Sequence, residues 1–369
     1  MKISIAGSYI SKFGELFEKS LTDLIEEAVV GVLKNSKVNS KKIDAVFVAN
    51  KAGGSFNQQR HLNALVSQQF SHFPPAFRIE GACASGALAM VAAEQGLASG
   101  RYETVLVIGV EKMTDLSAAE TTEVLATAAS REKEYASTFP GLYALMANYH
   151  MHKYGTTREE LSAVVVKNHQ HAFANPNAQF HRNFSLETVS TSALVADPLR
   201  LLDCSPISDG VAAVILTKKA LKKKARVIAY GHAQDTLALA DRTDLGQLLA
   251  SKKAAMEAYE RSGLSPKDID AVEVHDCFSI AEIMALEDLG FFEKGKAASA
   301  GLNQETTYGG KIVVNPSGGL KACGHPVGAT GVKQIAYLSQ LLERGDFKKV
   351  LAHNVGGSGA TAVVHILGI

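Results

Sequence analysis

A cysteine flanked by small residues is the side chain best suited to nucleophilic chemistry in this chain. Cys83 lies in the run Gly81-Ala82-Cys83-Ala84-Ser85-Gly86, and residues 84–99 are mostly small and apolar. That composition is typical of a helix packed closely against other backbones. The pattern predicts Cys83 at the first turn of this helix, where free N–H groups and the helix dipole favour a thiolate. A buried cysteine without chemistry is the alternative.

Three runs far from Cys83 in sequence carry side chains suited to acid–base chemistry and close approach of the backbone. The first follows a predicted strand and the second precedes a predicted helix, the places where open α/β sheets hold their ligands. An imidazole titrates near neutral pH, so the histidine of the second run is a candidate general base. The runs are His275-Asp276-Cys277-Phe278, Gly324-His325-Pro326-Val327-Gly328-Ala329-Thr330-Gly331 and His353-Asn354-Val355-Gly356-Gly357-Ser358-Gly359.

An internal repeat indicates how these distant residues could meet. Three pairs of segments share their pattern: 42–50 with 268–276, 101–109 with 344–352, and 208–216 with 357–365. The order of apolar strands and amphipathic helices predicts two related α/β halves, each with a mixed, largely parallel sheet covered by helices on both faces. Packing the central helices of the halves, 84–99 and 327–343, against each other would bring Cys83 close to the histidines.

The repeat also locates an insertion. Far more residues separate Gly86 from Gly210 than separate their counterparts Gly328 and Gly359. We therefore predict an inserted loop domain that supplies substrate contacts while the duplicated core supplies rigidity. The predicted boundaries are 1–114 and 207–220 for the N-terminal half, 115–206 for the loop domain, 221–225 for a solvated linker, and 226–369 for the C-terminal half.

Composition narrows the classes of function. The formal net charge is +1 with scattered basic residues, which predicts no nucleic-acid partner. No apolar run approaches the roughly 20 residues that span a bilayer, so no membrane role is expected. The four cysteines lack CxxC spacing, which disfavours a disulfide framework or a zinc site and favours a cytoplasmic location. Of these cysteines, Cys204 is interpreted as structural, and Cys323 as packed or as a further functional thiol.

With these motifs the chain resembles the thiolase family, and within it the sterol-carrier-protein-2 branch, which carries the His-Asp-Cys-Phe motif. The resemblance covers nearly the whole chain and includes Asn168-His169 through Phe180. It implies a duplicated five-layered αβαβα core with an inserted loop domain, assembled as a dimer or a tetramer. It also implies an acetyl-CoA acetyltransferase-like acyltransferase of lipid metabolism that uses coenzyme A as substrate and needs no cofactor or metal.

The resemblance further implies a ping-pong reaction in which Cys83 carries the acyl group and His325 takes its proton. His275, at a position where most thiolases carry Asn, would form an oxyanion hole with His325 for the second substrate. The Cys83 N–H and one near Gly356 would form another. Most thiolases deprotonate the α-carbon with the cysteine of a Cys-x-Gly motif, which this chain lacks. In the His-Asp-Cys-Phe branch that role falls to the cysteine of this motif, here Cys277.

The inserted segment supplies the remaining candidate contacts. Positive and imidazole side chains suit the phosphates of coenzyme A, and apolar ones suit the acyl chain. A metal site is disfavoured because His150 and His152 are two positions apart, which places them on different faces of a helix. The candidates for coenzyme A are Lys167, His169, His181 and Arg182, and those for the acyl pocket are Tyr143, Met146 and Phe180.

Two other functions fit the same motifs. A decarboxylating 3-oxoacyl synthase uses a cysteine with two histidines, which Cys83, His275 and His325 would satisfy. A thiolase-like acyl-binding subunit, active only in a complex, would explain the missing Cys-x-Gly motif. Some relatives work with a small zinc-ribbon/OB-fold protein and a second condensing enzyme, so both are candidate partners.

Overall fold

The computed structural model describes residues 3–369. In that range ten strands form one mixed sheet and two more form a separate antiparallel pair. The strands are β1 (Ile3–Ile10), β2 (Ala45–Ala49), β3 (Ala76–Ile79), β4 (Thr104–Glu111), β5 (Leu194–Ala196), β6 (Leu199–Arg200), β7 (Gly210–Thr217), β8 (Arg226–Gln234), β9 (Ala271–Glu273), β10 (Val313–Val314), β11 (Lys349–Gly356) and β12 (Thr361–Gly368).

The α-helices alternate with these strands, as a fold with parallel crossovers requires. They are α1 (Leu21–Ser36), α2 (Gly53–Phe56), α3 (Leu62–Ser67), α4 (Ser85–Ala98), α5 (Ala118–Ala126), α6 (Phe139–Tyr154), α7 (Arg158–Ala172), α8 (Leu186–Ser190), α9 (Leu249–Ser262), α10 (Ser279–Asp288), α11 (Ala297–Leu302), α12 (Gly319–Cys323) and α13 (Thr330–Arg344). Short 3₁₀ turns occupy Ser40–Lys42, Leu201–Asp203, Leu239–Asp241 and Pro266–Asp268.

The large sheet consists of two groups of five strands with the same order. The first group runs β1-β7-β4-β2-β3 and the second runs β8-β12-β11-β9-β10. In the first group β4, β2 and β3 are parallel to one another, and β7 pairs antiparallel with β4. In the second group β11, β9 and β10 are parallel to one another, and β12 pairs antiparallel with β11. Within residues 3–369 the two groups are joined where Ile3 and Ser4 of β1 pair with Val227 and Arg226 of β8. The predicted α/β class is confirmed, and the repeated segments become equivalent strands.

Helices form three layers around the two groups of strands. Helices α1 and α3 cover one outer face, α9 and α10 cover the other, and α4 and α13 lie between the groups and contact both. The central pair approaches so closely that a Cβ on Gly86 would lie 2.7 Å from the backbone nitrogen of Gly331. Glycine at this crossing lets the two helices bring their N-terminal ends together, as the sequence analysis predicts.

The inserted segment lies between β4 and β7 and contains α5 to α8 and the β5-β6 pair. A buried carboxylate connects the inserted segment to the second half. Asp203 accepts hydrogen bonds from Arg158 at 2.6 and 2.7 Å and from the Ser279 hydroxyl at 2.6 Å. The segment therefore lies against α10, close to the His-Asp-Cys-Phe motif. Across residues 3–369, none of the helices combines the length and the apolar character needed to span a bilayer.

Candidate active site

A strained turn presents the Cys83 thiol ahead of the central helix. The helix α4 begins at Ser85, so Cys83 lies two residues before it rather than in its first turn. Ala82 adopts a φ of 53°, in the left-handed region that disfavours a side chain. The Ser85 hydroxyl holds the turn by donating to the Ala82 carbonyl at 2.6 Å and accepting from the Gly81 N–H at 3.0 Å. The thiol is thereby directed off the end of the helix.

The structure brings Cys83, His275 and His325 together. The Cys83 sulfur and one ring nitrogen of each histidine all lie within 4.8 Å of one another. The two imidazole rings are nearly perpendicular, at 82°, with centroids 5.0 Å apart. His275 follows β9 by two residues and His325 precedes α13, so the second half supplies both imidazoles and the first half supplies the thiol.

Each imidazole is held by a hydrogen bond at Nδ1. The His325 Nδ1 lies 2.7 Å from the Thr330 hydroxyl, at the start of α13. The His275 Nδ1 lies 3.1 Å from the side-chain amide nitrogen of Asn354, on β11. The backbone N–H of His325 also donates to the Ser208 hydroxyl at 3.0 Å. Because Nδ1 is engaged in both rings, Nε2 is the nitrogen left to act in the cavity.

Burial dominates the electrostatics of the three groups. It raises the pKa of Cys83 to about 11, although the Lys51 charge and a hydrogen bond from the Gly357 N–H lower it. The expected thiolate at rest is therefore wrong, because desolvation outweighs the helix dipole. Burial, and then the charge of Lys333, lowers the pKa of His325 to about 3, and burial with His325 lowers that of His275 well below its usual value. All three groups rest uncharged at neutral pH.

A second thiol lies in the same cavity. Cys277 lines it beside Tyr143, and burial raises the pKa of Cys277 above its usual range although Tyr143 lowers it. The Tyr143 hydroxyl donates to the Gly357 carbonyl at 3.3 Å, and its ring stacks on Phe278 with the centroids 4.7 Å apart. Cys277 therefore shares the cavity with Cys83, and its role as a second acid or base stays a prediction.

The cavity has a volume of about 150 Å³ and is lined by both halves and by the inserted segment. Its walls are mostly apolar, so a bound reacting group would be shielded from water and electrostatic interactions would be strengthened. Gly357 lines it, one residue beyond the Gly356 predicted for an oxyanion hole. Besides the groups described above, the lining residues are Thr122, Leu125, Phe139, Pro140, Cys204, Ser205, Ile207 and Val327.

The predicted coenzyme A contacts separate into two sets. His169 and Arg182 line a second cavity of about 310 Å³ together with Phe180 and Lys321. Lys167 lines neither cavity, since its amine lies in the interior 2.9 Å from the carboxylate of Glu282.

The other residues predicted to bind substrate also lie at separate places in the structure. Tyr143 lines the catalytic cavity, whereas Met146 is packed in the core behind it. His181 is exposed, and its Nε2 lies 2.9 Å from the Asn175 carbonyl. The structure therefore brings only Tyr143 of the seven candidates to the cavity that holds Cys83, His275 and His325, and the proposed contacts with coenzyme A stay predictions.

Three residues that act on the site were not singled out from the sequence. Thr330 and Asn354 hold the two imidazoles, and both lie within the motifs quoted above. Lys51, whose charge acts on Cys83, lies two residues after the end of β2. A position at the carboxyl end of a parallel strand was the available signal for Lys51. The contacts of Thr330 and Asn354 needed the fold.

Metal-binding geometry occurs at one place in the described part of the chain, 3–369, and it coincides with the reacting groups. Cys83, His275 and His325 could together hold an ion. The histidines of the inserted segment form no such group in that range. His150, for example, bonds to Thr156 at 2.8 Å and to Glu287 at 3.1 Å. A soft thiol with two imidazoles suits zinc as well as proton transfer.

Comparison with known proteins assigns the family. The model described as "Thiolase, N-terminal domain" matches residues 3–220, and "Thiolase C-terminal domain-like" matches residues 231–369. An acetyl-CoA acetyltransferase of Methanothermobacter thermautotrophicus is 46% identical over 380 residues, covering 99% of this chain and 98% of that protein. Sterol carrier protein 2 of Homo sapiens is 34% identical, covering 98% of this chain and 71% of that protein.

Solved structures show the same fold. An Ltp2-ChsH2(DUF35) aldolase superposes with a TM-score of 0.84 at 23% identity, covering 100% of this chain and 97% of that chain. Human mitochondrial 3-ketoacyl-CoA thiolase superposes with a TM-score of 0.78 at 19% identity, covering 100% and 98%. The chain belongs to the thiolase family, and it is an acyltransferase with the thiolase fold.

Proposed function

We propose that this chain catalyses a thiolase reaction through an acyl group carried on Cys83. Its substrates are 3-oxoacyl-CoA, which coenzyme A cleaves, and in the reverse direction acetyl-CoA and an acyl-CoA, which condense. The observation that carries the proposal is the meeting of the Cys83 sulfur with His275 and His325 within 4.8 Å in a mostly apolar cavity. The relatives named acetyl-CoA acetyltransferase support the acyl donor.

The first half-reaction requires a thiolate that the resting site does not hold. The Cys83 thiol attacks the thioester or ketone carbonyl as its proton moves to Nε2 of His325. Because both groups rest uncharged, the proton moves during the attack rather than before it. The Gly357 N–H, which points at the sulfur, is the backbone donor nearest to the developing charge. In cleavage, the carbon–carbon bond breaks and the departing acetyl-CoA carbanion takes up a proton.

In cleavage, the second half-reaction is the attack of the coenzyme A thiol on the acyl-cysteine, which forms acyl-CoA and returns the proton to Cys83. In condensation, the second half-reaction requires removal of a proton from the α-carbon of acetyl-CoA, whose carbanion then attacks the acyl-cysteine and releases Cys83. Cys277 lines the cavity beside Tyr143. The Tyr143 hydroxyl stabilises the Cys277 thiolate when the Cys277 proton leaves. His275 donates to the thioester oxygen of that substrate, where negative charge accumulates as the enolate forms, and His325 donates there only while it carries the proton taken from Cys83. This arrangement needs no cofactor beyond the substrates.

A covalent adduct tests the proposal. The protein is mixed with acetyl-CoA, quenched in acid and analysed by peptide mass spectrometry. We expect one acetyl group on the peptide that contains Cys83. The same protein should cleave acetoacetyl-CoA with coenzyme A and should not decarboxylate malonyl-CoA. An adduct on another cysteine contradicts the assignment, and turnover of malonyl-CoA instead supports the decarboxylating synthase.

The second candidate function is that of a thiolase-like acyl-binding subunit that is active only in a complex. It is favoured by the superposition with an aldolase that contains a DUF35 protein, and by the absence of a Cys-x-Gly motif. The partners would be a small zinc-ribbon/OB-fold protein and a second condensing enzyme, bound to a homodimer or tetramer. Purification of the tagged chain from its own cells, with light scattering for mass, separates the two cases. Full thiolysis by the isolated homo-oligomer contradicts an obligatory partner.

A further inference from the structure

The side chain of Asn354 connects the two halves directly behind the reacting groups. Its amide oxygen lies 3.3 Å from the backbone nitrogen of Ala87, and its amide nitrogen lies 3.1 Å from Nδ1 of His275. The oxygen also lies between the central helices, since a Cβ on Gly331 would approach it to 2.4 Å. Asn354 is buried and leaves no room for solvent at these contacts. The amide therefore has two partners and a confined position.

The first turn of α4 determines which way this amide points. Ala87 is the third residue of α4, so its N–H has no partner within the helix and can only donate. The atom of Asn354 that faces Ala87 must therefore be the oxygen. The nitrogen, which can only donate, is then turned toward Nδ1 of His275. A reversed amide would place two donors against each other at Ala87.

A donor at Nδ1 decides where His275 carries its proton. Neutral imidazole has one N–H, and Nδ1 accepts from Asn354, so the proton is on Nε2. His325 is in the opposite state. The Thr330 hydroxyl donates to the Pro326 carbonyl at 3.1 Å, so its oxygen accepts from Nδ1–H of His325 and leaves Nε2 without a proton. The cavity thus receives one imidazole that donates and one that accepts.

We propose that Asn354 is the positioning residue that holds His275 as an Nε2–H donor to the thioester oxygen, in contrast to the neighbouring His325, which is held as a base. The inference rests on the proposed thiolase reaction for its kinetic consequence, but the position of the proton is a property of the resting protein. Asn354 does not line the cavity. It acts through His275, and it links that ring to the helix that carries the nucleophile.

The variant Asn354→Asp tests this role with almost no change of shape. Its carboxylate still accepts from the Ala87 N–H, but it now also accepts from Nδ1 of His275. We expect the neutral ring to move its proton to Nδ1 and to lose the donor in the cavity. Cleavage and condensation should fall by about 10²-fold, the cost of one missing oxyanion donor. Acetylation of Cys83 from acetyl-CoA should stay near the wild-type rate.

The pH profile separates this effect from a general loss of structure. The titratable groups that act on His275 are His325, His353 and Lys333, and the positive form of each lowers the pKa of His275. The new carboxylate opposes them and favours imidazolium, which carries a proton on both nitrogens. Turnover by Asn354→Asp should therefore recover as the pH falls, whereas the wild type should show no such recovery. A pH-independent loss overturns the positioning role.

Nitrogen NMR shows directly which ring nitrogen of His275 carries the proton. Protein labelled with ¹⁵N-histidine is measured without substrate, and the His275 signals are assigned from their loss in His275→Gln. We expect the proton on Nε2 of His275 in the wild type and on Nδ1, or on both nitrogens, in Asn354→Asp. Asn175→Asp is the matched control, because it alters a buried amide that bonds to the Ser317 carbonyl and to no imidazole.

A wild-type His275 protonated on Nδ1 overturns the inference even if Asn354→Asp does not fold. The predicted proton position together with an absent acetyl adduct on Cys83 would instead remove the proposed function and leave the role of Asn354 intact. The two failures are therefore distinguishable.

Discussion

The two halves of the molecule share their strand order but place unlike chemistry before equivalent helices. Ahead of α4, the strained turn at Ala82 directs the Cys83 thiol into the cavity. Ahead of α13, His325 is held by Thr330 of its own helix. A duplicated scaffold offers two equivalent positions that face each other, whereas acyl transfer needs a nucleophile and a base. In the proposed reaction the difference between the halves supplies that pair, and neither half contains all three of Cys83, His275 and His325.

The halves also differ in how they hold a buried carboxylate. Glu111, at the end of β4, accepts from the N–H groups of Lys51 at 2.8 Å, Ala52 at 3.0 Å and Gly328 at 3.0 Å. The buried carboxylate of the second half, Glu273, lies on β9, the strand equivalent to β2 rather than to β4, and it pairs with Lys333 at 3.0 Å within the same half. Glu111 thus reaches across to the segment that carries the base, so the nucleophilic half contributes to holding the partner motif in place.

Removing the thiol should have the largest effect. Cys83→Ala leaves the second half and the cavity intact but deletes the atom that carries the acyl group. We expect turnover of acetoacetyl-CoA to fall by at least about 10⁴-fold, with no acetyl adduct by mass spectrometry. Cys323→Ala is the control, since that thiol is packed in the core and does not line the cavity. Substantial turnover by Cys83→Ala would place the nucleophile elsewhere.

Replacing the two imidazoles separately should show that each one serves a different step of the reaction. His325→Gln removes the base and should slow acetylation of Cys83 by about 10² to 10⁴-fold. His275→Gln should leave acetylation near the wild-type rate and slow cleavage by about 10² to 10³-fold through the weakened oxyanion hole. Rapid-quench mass spectrometry measures the first step and steady-state thiolysis the whole. Equal effects of both variants on acetylation would contradict the division of roles.

Separating the central helices should affect stability and the site together. In Gly86→Ala the new Cβ would meet the Gly331 backbone at 2.7 Å, and such overpacking costs about 1 to 3 kcal/mol. The matched control is Gly301→Ala in α11, whose Cβ would have no neighbour closer than 3.9 Å. Urea unfolding should show a lower midpoint for Gly86→Ala and an unchanged midpoint for Gly301→Ala. A stable, active Gly86→Ala would mean that the helices can move apart freely.

The smallest effect concerns the charge near the nucleophile. With a Cys83 pKa raised to about 11 by burial, alkylation by iodoacetamide should accelerate as the pH rises, with no plateau near neutrality. Lys51→Met removes the positive charge that opposes burial, so alkylation at a given pH should slow further by a few-fold. The exposed Lys34→Met is the control. A plateau below pH 8 would show a preformed thiolate.

The sequence predicted the α/β class, the duplication and the identity of the reacting groups, because each has a local signature. Alternating apolar strands and amphipathic helices define the class, and similarity between segments such as β2 and β9 defines the repeat. Burial could not be read from residue types alone, which is why the thiolate expected from the start of α4 is wrong. Contacts of the inserted segment were equally inaccessible, so Lys167 was proposed for coenzyme A although it pairs with Glu282.

By itself the sequence determined which chemical groups this protein possesses, namely a cysteine on a small-residue turn and histidines beside glycine-rich runs. Only the tertiary structure decided their states. The proton on each imidazole depends on a partner from elsewhere in the fold, Asn354 from β11 for His275 and Thr330 for His325. Hydrogen-bond polarity and desolvation are properties of the packed environment, and residues distant in the chain create that environment only when the two halves meet.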